Sequence, residues 1–354
     1  MKKKTLFKIN NRKIGLDYPP YLIAEMSGNH GQSIKRAIKF VDIVKKLKID
    51  AIKLQTFKPE TITLNSTSRE FIIKDKKSNW FGKKLYNLYD EAHMPWDMQE
   101  KVFKYAKKNN VECFSSPFDE TAVDFLEKMK VKVYKVSSFE INHIPLLEKI
   151  GKTKKPVILS SGLANIQDIK LAIKTLKGNG CSHIALLKCT SNYPADPSFS
   201  NLKTIKDMRM KFNCEIGISD HTKGIGVALS SIAFGASIIE KHITLNINDG
   251  LVDSKFSLNP NEFEKLKNES INSWKSIGSI SYGPTKDDIK SLQFKRSIYY
   301  IKNLKKNHKL TYNDVKVVRP SNGLEPKYLK KIIGKKLQKK VYCNKPVKEK
   351  DFRI

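Results

Sequence analysis

The chain has 354 residues, enough for one large domain and a small one, and 40% of them are apolar. It carries 67 Lys and Arg residues against 35 Asp and Glu, a formal net charge of +32. Only seven of the basic residues are arginines, and the lysines are spread along the chain without a recognisable DNA- or RNA-binding motif. We therefore expect no nucleic-acid partner, although a positive field would attract an anionic substrate.

Two further classes are excluded by the pattern of apolar residues. No run approaches the roughly 18 consecutive apolar residues that a membrane span needs. The basic N-terminal segment lacks the apolar stretch of a secretory signal. These absences predict a cytoplasmic protein with no membrane partner. The five cysteines are scattered without metal-ligand spacing, which indicates reduced thiols that mostly serve packing.

Short apolar runs recur along the chain, and segments with a helical period separate them. The predicted strands are residues 21–25, 51–55, 112–115, 133–136, 157–160, 184–189, 215–219 and 238–242. Ser33 and Asp119 are candidate N-caps of two of the helices. Strand and helix alternate eight times at nearly even spacing, which predicts an α/β protein with a (β/α)8 TIM barrel. An open doubly wound sheet is the alternative.

The connection between residues 57 and 95 is much longer than the others. Connections of this length in a compact domain are usually functional or disordered. This one is rich in aromatic residues, which argues against disorder; they are Phe71, Trp80, Phe81, Tyr86 and Tyr89. We expect it to form a lid or a substrate wall over the barrel mouth.

The pattern changes after residue 281. We predict a barrel domain over residues 1–281, a linker over 282–291 and a small C-terminal domain over 292–354. The last segment has short β-like pieces and is near the lower size limit for independent folding.

Strand alternation predicts which residues point into the barrel. In the run AIKLQT, Ile52 and Leu54 would face the helices. Lys53 and Gln55 would then face the interior, and Lys135 repeats the pattern on the fourth strand. A buried lysine is costly without an anionic partner. A structural ion pair is one interpretation; binding of a phosphate or carboxylate is the other, and two such lysines favour it.

Hydroxyl groups recur where five of the predicted strands end. They belong to Ser115 and Ser116, Ser137 and Ser138, Ser160 and Ser161, Thr190 and Ser191, and Ser219. Any one of them could simply cap a helix. Because the carboxyl ends of barrel strands meet at one mouth, the five together predict a cradle for phosphate and carboxylate groups.

The first predicted strand ends at Glu25, and Asn29 and His30 follow shortly after. Glu25 is a candidate general acid or base, or a group that orients a substrate hydroxyl. An isolated histidine such as His30 more often has a structural role, held by hydrogen bonds, than a functional one.

Two histidines stand at the ends of the last two predicted strands. His221 lies in GISDHT and His242 in IIEKHIT, with Asp220 and Glu240 beside them. The pattern predicts a divalent metal at the barrel mouth; the alternative is two separately hydrogen-bonded histidines. Imidazoles suit Zn, Mn or Fe, and oxygen ligands from water or substrate favour Mn- or Mg-like ions. Such an ion acts as a Lewis acid on a carbonyl.

The motifs resemble those of the sialic acid synthase family, in the same order. They are IAEMSGNHGQS, AIKLQTF, CFSSPFD, YKVSSFE, SSGLA, LLKCTSNYPA, GISDHT, IIEKHIT and DSKFSL. The C-terminal segment resembles the small antifreeze-like (SAF) domain of that family, most clearly in VVRPSNG. The resemblance covers nearly the whole chain. Within the family, EMSGNH, the long insertion, CTSNYPA and VDSKFSL are most similar to the pseudaminic acid synthase branch.

The resemblance implies an enzyme that condenses phosphoenolpyruvate with the open-chain aldehyde of an N-acetylated amino sugar. Water adds, and phosphate leaves by C–O cleavage. For this branch the sugar would be 2,4-diacetamido-2,4,6-trideoxy-L-altrose and the product pseudaminic acid. The resemblance also implies a divalent ion (Mn²⁺, Mg²⁺ or Co²⁺) on His221 and His242. It further implies a domain-swapped homodimer in which Arg319 enters the barrel mouth of a partner subunit.

The family motifs imply individual roles as well. Catalysis is implied for Glu25, which would assist proton transfer or hold the attacking water, and for the two histidines. Substrate binding is implied for Lys53, Gln55, Ser116, Lys135, Ser138, Glu140, Ser160, Ser191, Tyr193, Ser219, Asp253 and Arg319. Of these, Glu140, Tyr193 and Asp253 would orient the sugar. Ser191 stands where the neuraminate branch often has Asn, so a side-chain amide contact to phosphate is not expected there.

Five alternatives stay open at this point. A legionaminic acid synthase or an N-acetylneuraminic acid synthase would use the same mechanism on a different sugar. A metal-dependent aldolase or another phosphoenolpyruvate-condensing barrel would not explain the C-terminal segment with Arg319. A basic nucleic-acid-binding protein would show salt-sensitive binding to random DNA. It would leave the inward lysines and the paired histidines unexplained.

Overall fold

A computed structural model describes residues 7–76, 78 and 80–352. The chain divides into two compact units, Met1–Gly278 and Ser279–Ile354. None of the helices in the described ranges is both long and apolar enough to cross a membrane.

The first unit begins with a β-hairpin that the sequence pattern did not predict. Strands β1 (Phe7–Ile9) and β2 (Arg12–Ile14) pair antiparallel, and Asn10 adopts a left-handed conformation (φ 48°) in the turn. The apolar side chains of the hairpin join those of the first residues of the barrel strands in one buried cluster. The hairpin therefore covers the N-terminal end of the barrel.

Among the described residues, eight parallel strands close into a barrel in the order β10-β3-β4-β5-β6-β7-β8-β9. The strands are β3 (Tyr21–Glu25), β4 (Ala51–Thr56), β5 (Glu112–Pro117), β6 (Tyr134–Val136), β7 (Val157–Ser160), β8 (Ile184–Cys189), β9 (Glu215–Asp220) and β10 (Ile238–His242). The predicted TIM barrel is confirmed. Strands buried on both faces read as continuous apolar runs, which is why the sequence located them.

Helices connect the strands and cover the barrel. Those of the first unit are α1 (Ile34–Leu47), α2 (Pro59–Ile62), α3 (Leu85–Ala92), α4 (Trp96–Lys108), α5 (Glu120–Lys128), α6 (Ile144–Lys152), α7 (Ile166–Gly178), α8 (Lys203–Phe212), α9 (Gly226–Ala233) and α10 (Pro260–Ile277). Ser33 caps α1 by accepting from Arg36 N, and Asp119 caps α5 by accepting from Thr121 N and Ala122 N, as predicted.

The barrel interior has an apolar floor and a polar mouth. On β3, Ile23 belongs to the interior apolar cluster, and Glu25 follows it on the same face. On β4, Ala51 is followed in the same way by Lys53. The residues between them face the larger apolar core under the helices, where Ile52 is fully buried. Strand alternation thus collects polar side chains at the carboxyl end of the barrel.

The second unit is a small β-rich domain. Strands β11 (Ser297–Tyr300) and β12 (Val315–Val318) pair antiparallel, and a short helix α11 (Leu329–Ile332) follows. It has a buried apolar core of its own, which includes Ile298, Tyr300, Leu310 and Val347. Asp314 and Asp351 each accept hydrogen bonds from backbone N–H groups three residues earlier, at Thr311 and Lys348. These buried carboxylates tie down the two loops.

Candidate active site

A cavity of about 770 Å³ opens at the carboxyl end of the barrel strands. Most of the site residues predicted from the sequence line it: Lys53, Gln55, Ser116, Lys135, Ser138, Glu140, Ser160, Ser191, Tyr193, Ser219, His221, His242 and Asp253. Glu25 lies directly behind this lining, paired with Lys53. The strand ends therefore bring the predicted residues of the barrel together.

Two lysines and two carboxylates form the buried charged centre of the cavity. Lys53 Nζ is 2.6 Å from Glu25 Oε2 and 3.8 Å from Glu240 Oε1. Lys135 Nζ lies 3.7 Å from the same Glu240 oxygen. All four side chains are at most 4% exposed. Their charges balance when every group is ionised, which satisfies the inward lysines that the sequence predicted.

The two carboxylates differ in their affinity for a proton. Burial raises the pKa of Glu25 to about 7 against the opposing effect of Lys53. Burial also acts on Glu240, but Lys135 and Lys53 outweigh it and hold the pKa of Glu240 below its ordinary value. Glu240 therefore stays ionised beside both lysines, while Glu25 can gain or lose a proton near neutral pH.

Hydroxyl groups surround these lysines. Lys53 Nζ donates to Ser116 Oγ at 3.2 Å, and Lys135 Nζ donates to Ser160 Oγ at 2.7 Å. Ser219 donates to Glu240 Oε1 at 2.9 Å. The ammonium groups of the two lysines and the hydroxyls at these strand ends form a cradle that suits a small, multiply charged anion.

The wall of this cradle contains a glycine with no room for a side chain. A Cβ atom at Gly162 would lie 2.3 Å from Ser191 Oγ, 2.9 Å from Ser138 Oγ and 3.1 Å from Cys189 Sγ. The Gly162 N–H donates to Ser138 Oγ at 3.0 Å. The missing side chain therefore keeps the hydroxyls of Ser138 and Ser191 close together at the cavity wall.

The two histidines lie side by side in the same cavity. The centres of the His221 and His242 rings are 5.2 Å apart. His221 Nδ1 donates to the carbonyl oxygen of Thr190 at 3.0 Å, which leaves its Nε2 as an acceptor. His242 Nδ1 is buried and has no hydrogen-bond partner among the described residues.

This donor set fits a divalent ion that keeps most of its coordination positions open. No group of three or more His, Cys, Asp or Glu side chains in the described ranges could hold a metal. Two imidazoles alone cannot build a closed structural zinc site, which takes four protein ligands. Water or substrate oxygens would have to complete the shell, which favours Mn- or Mg-like ions.

The histidines also differ in their pKa. Burial lowers the pKa of His242 well below its ordinary value, and the charges of His221 and Lys53 add to that effect. Burial acts on His221 in the same direction, but its contact with Cys189 outweighs it and raises the pKa. The His242 ring is thus neutral, the form in which imidazole binds metals.

Aromatic and apolar side chains form another part of the cavity wall. The Tyr193 ring packs at a tilt against His221 with 4.4 Å between ring centres, and its centre lies 5.9 Å from that of the Trp80 ring. Trp80 Nε1 donates to the carbonyl oxygen of Val252 at 3.2 Å, which ties the long connection to the barrel. The apolar lining contributed by this connection is Ile62, Ile73, Leu85, Leu88 and Ala92. The connection between residues 57 and 95 therefore forms a wall of the cavity, as the sequence analysis predicted.

Two acidic residues mark the edge between the walls. Burial raises the pKa of Glu140 to about 7, opposed by Lys135. Asp253 accepts a hydrogen bond from Ser27, and burial raises its pKa against that bond. Both side chains line the cavity, where their oxygens can accept hydrogen bonds from sugar hydroxyl or amide groups.

Two residues of the site were not predicted from the sequence, and a third does not belong with the histidines beside which it was placed. Glu240 contacts both lysines, and Cys189 lines the cavity 3.9 Å from His221 Nδ1, so Cys189 is not a simple packing residue. Asp220, considered beside the histidines, points away from them and pairs with Lys241. Arg319 lies in the second unit, and its predicted role in a partner subunit stays a prediction.

Comparison with known proteins agrees with this geometry. The model of the NeuB family matches residues 40–282, and the model of the SAF domain matches residues 295–353. The chain belongs to the NeuB family. The resemblance noted in the sequence is confirmed: the NeuB model matches most of the barrel, and the SAF model matches the C-terminal domain.

Curated NeuB relatives cover almost the same length. Pseudaminic acid synthase of Campylobacter jejuni (strain 81-176) is 37% identical over 95% of this chain and 98% of its own length. Pseudaminic acid synthase of Helicobacter pylori is 36% identical over 94% and 98%. N,N'-diacetyllegionaminic acid synthase of C. jejuni is 32% identical over 89% and 94%.

A solved structure of a NeuB-type enzyme has the same architecture. N-acetylneuraminic acid synthetase from Leptospira borgpetersenii, in complex with citrate, superposes with a TM-score of 0.71 at 30% identity. The match covers 82% of this chain and 96% of that one.

Proposed function

We propose that this NeuB-family enzyme condenses phosphoenolpyruvate with 2,4-diacetamido-2,4,6-trideoxy-L-altrose to give pseudaminic acid and phosphate. The observation that carries the proposal is that the Lys53–Lys135 cradle and the His221–His242 pair line one cavity. The relatives named pseudaminic acid synthase support the choice of reaction.

The cradle suits phosphoenolpyruvate. Its phosphate and carboxylate carry several negative charges, and the two buried ammonium groups and the hydroxyls of Ser116 and Ser160 supply matching donors. An anion at this place would compete with Glu25 and Glu240 for the lysines, so the lysines are held in position until it binds.

The reaction forms a carbon–carbon bond and also requires proton transfer. C3 of phosphoenolpyruvate attacks the sugar aldehyde, water adds at C2, and phosphate leaves with cleavage of the C2–O bond. Glu25, with a pKa of about 7, accepts the proton of the attacking water or returns it to the leaving group. Glu140, Tyr193 and Asp253 orient the sugar along the other edge of the cavity.

His221 and His242 would hold a divalent ion, Mn²⁺, Mg²⁺ or Co²⁺. When bound, such an ion supplies Lewis-acid polarisation of the aldehyde. The residues themselves support this assignment, because His242 Nδ1 is buried and meets no hydrogen-bond partner in the part of the chain that the structure describes, and the Thr190 carbonyl fixes the tautomer of His221.

The apolar wall supports a deoxygenated sugar. Ile73, Leu85 and Leu88 offer no hydrogen-bond partner to a hydroxyl group, and leaving a hydroxyl unpaired in a buried site is costly. A C6 methyl group suits this wall better than the C6 hydroxyl of N-acetylmannosamine. The legionaminic acid precursor shares the methyl group. A relative named N,N'-diacetyllegionaminic acid synthase is 32% identical to this chain, so this precursor is the second candidate substrate.

A phosphate-release assay tests the proposal. The enzyme would be given phosphoenolpyruvate with the L-altrose substrate, its stereoisomers or N-acetylmannosamine, with and without Mn²⁺. We expect the highest kcat/KM with the L-altrose sugar and no turnover after metal removal. Preference for another sugar would overturn the substrate assignment, and metal-independent turnover would overturn the metal assignment.

Variants sharpen the metal arm of the assay. His221→Ala and His242→Ala should lose turnover at every Mn²⁺ concentration. His30→Ala is a matched control, because His30 is equally buried but its Nδ1 accepts a hydrogen bond from the Gln32 backbone instead of facing the pair. Full activity of either site variant would contradict the proposal.

A further inference from the structure

A second buried ion pair lies directly behind the two histidines. Lys241 Nζ is 2.7 Å from Asp220 Oδ2, and the two side chains are 0% and 1% exposed. Asp220, the last residue of β9, directly precedes His221, and Lys241 directly precedes His242 on β10. The pair belongs to neither the cradle nor the cavity lining.

The pair lies on the helix-facing side of the barrel, among apolar side chains. Ile218 and Ile239 on the same face belong to the apolar core between strands and helices. Two charges buried there cost desolvation energy that an apolar pair of similar volume would avoid. Packing alone therefore does not explain the presence of Asp220 and Lys241.

The contacts of the pair explain it better. Lys241 and Asp220 are directly opposite each other in the register of β10 and β9. The two histidines directly follow Asp220 and Lys241 in the chain and line the cavity, so a link between Asp220 and Lys241 fixes the relative position of the two histidine backbones.

The same pair also holds the chain just after His221. Thr222 N donates to Asp220 Oδ1 at 2.9 Å, and Lys241 Nζ donates to the Thr222 carbonyl oxygen at 2.5 Å. On the other side, Ala195 N donates to the His221 carbonyl oxygen at 3.0 Å. Strand β9 ends at Asp220, so the strand ladder no longer holds His221 in place. The ion pair takes over that task.

We propose that Asp220 and Lys241 are positioning residues that set the separation and orientation of His221 and His242 for a divalent ion. The inference rests on the proposed metal site and adds the element that holds its two ligands in place. Neither residue contacts the substrate cavity, so both act only through the histidines.

The test compares two ion pairs that each include one residue of β9. Lys241→Met and the double variant Asp220→Leu/Lys241→Met remove the pair behind the histidines. The double variant leaves no uncompensated buried charge and keeps the fold testable. Arg209→Met/Glu215→Leu is the matched control, because Arg209 and Glu215 pair at 2.8 Å near the other end of β9.

The first readout is Mn²⁺ binding to the purified, metal-free protein, followed by electron paramagnetic resonance of the free ion. We expect both Lys241 variants to weaken binding at least about tenfold, which corresponds to about 1.4 kcal/mol. The control should bind Mn²⁺ like the unmodified chain, even if it melts at a lower temperature. Unchanged affinity in the double variant, or an equal loss in the control, would overturn the proposal.

The second readout does not depend on a metal. In ¹⁵N-histidine spectra of the metal-free protein, recorded at a pH high enough to keep the His221 ring neutral, this ring should appear as a single Nδ1–H tautomer because it donates to Thr190. We expect a mixture of tautomers in the double variant and no change in the control. If the unmodified chain binds no divalent ion, the metal assignment fails and this readout alone decides the positioning role; unchanged His221 signals refute it.

Discussion

Lys53 and Glu25 form an ion pair inside the barrel, with 2.6 Å between Nζ and Oε2. They lie directly opposite each other on neighbouring strands, so the pairing follows from the register of β3 and β4. The lysine that suits an incoming anion is thus in contact with a carboxyl group whose pKa of about 7 lets it gain or lose a proton near neutral pH. Anion binding and proton transfer are therefore linked in one pair of residues.

The first prediction concerns this carboxyl group. Glu25→Gln keeps the shape and a hydrogen bond but cannot accept or give up a proton. We expect kcat to fall by about 10²- to 10⁴-fold, the usual contribution of general acid–base catalysis, while KM for phosphoenolpyruvate does not rise, because the neutral amide competes less with the anion for Lys53. Steady-state kinetics with the best sugar measure both constants.

Glu112→Gln is the matched control. Burial raises the pKa of Glu112 as well, but Glu112 stands at the first residue of β5, at the opposite end of the barrel. Its removal should leave kcat unchanged. An equal loss of kcat in both variants would contradict a specific role for Glu25.

The second prediction concerns the glycine in the cradle. In Gly162→Ala the new methyl group collides with the hydroxyls of Ser191 and Ser138, which are the ends of small side chains and can rotate away. The collision is therefore relieved by displacing the groups that face the anion. We expect KM for phosphoenolpyruvate to rise at least about tenfold, or 1.4 kcal/mol, with little loss of stability.

Gly226→Ala provides the control for this substitution, since an added Cβ there meets nothing within 4 Å. Both variants should melt close to the temperature of the unmodified chain. An unchanged KM for phosphoenolpyruvate in Gly162→Ala would show that the hydroxyls of Ser138 and Ser191 do not hold that substrate.

The barrel could be predicted from the sequence because its strands are buried on both faces. The run at residues 51–55 matches β4 (Ala51–Thr56) almost completely, and strict alternation placed Lys53 and Gln55 inside. The motifs that marked the strand ends also marked the cavity, since barrel geometry brings all carboxyl ends together.

Other residues of the site could not be predicted, because their roles depend on contacts between strands that a single sequence does not show. The same alternation places Cys189 inside, two residues after Leu187, but its residue type suggested packing. Glu240 was noted only as a neighbour of His242, because its contacts with Lys53 and Lys135 span three strands. The hairpin at Phe7–Ile14 could have been predicted, because Asn10 and Asn11 are turn residues between two segments in which apolar and polar residues alternate.

The third prediction concerns the pH dependence of stability. The pKa of Glu140 is about 7 in the folded chain against 4.5 for the free side chain, mainly because of burial, with Lys135 opposing and Tyr89 nearby. Between these pH values the unfolded chain loses the proton and the folded chain keeps it. The contribution of Glu140 to the free energy of unfolding is therefore fully present below pH 4.5, and it declines as the pH rises to 7.

Glu140→Gln mimics the protonated form and removes this titration. We expect the variant to equal the unmodified chain in stability near pH 4.5 and to exceed it by up to about 3 kcal/mol above pH 7. Urea unfolding of both proteins across this pH range measures the difference, in which other titrating groups cancel. A difference that does not depend on pH would contradict the raised pKa.

The last prediction tests the swapped dimer with its arginine. If Arg319 acts in the barrel of a partner subunit, His221→Ala and Arg319→Ala each inactivate a homodimer for a different reason. A mixed dimer of the two contains one intact barrel that receives an intact arginine. After unfolding and refolding an equimolar mixture, half of the dimers are mixed and each has one complete site, so about a quarter of full activity should return.

A mixture of His221→Ala with His242→Ala is the control, because both changes lie in the barrel and no combination restores a complete site. Purification through two different affinity tags isolates the mixed dimer, whose activity should then approach half of the unmodified enzyme, since one of its two sites is complete. If Arg319 instead acted within its own chain, every barrel in the mixed dimer would lack either a histidine or its arginine. Absence of any recovered activity in that purified dimer would therefore rule out the exchange of Arg319 between subunits.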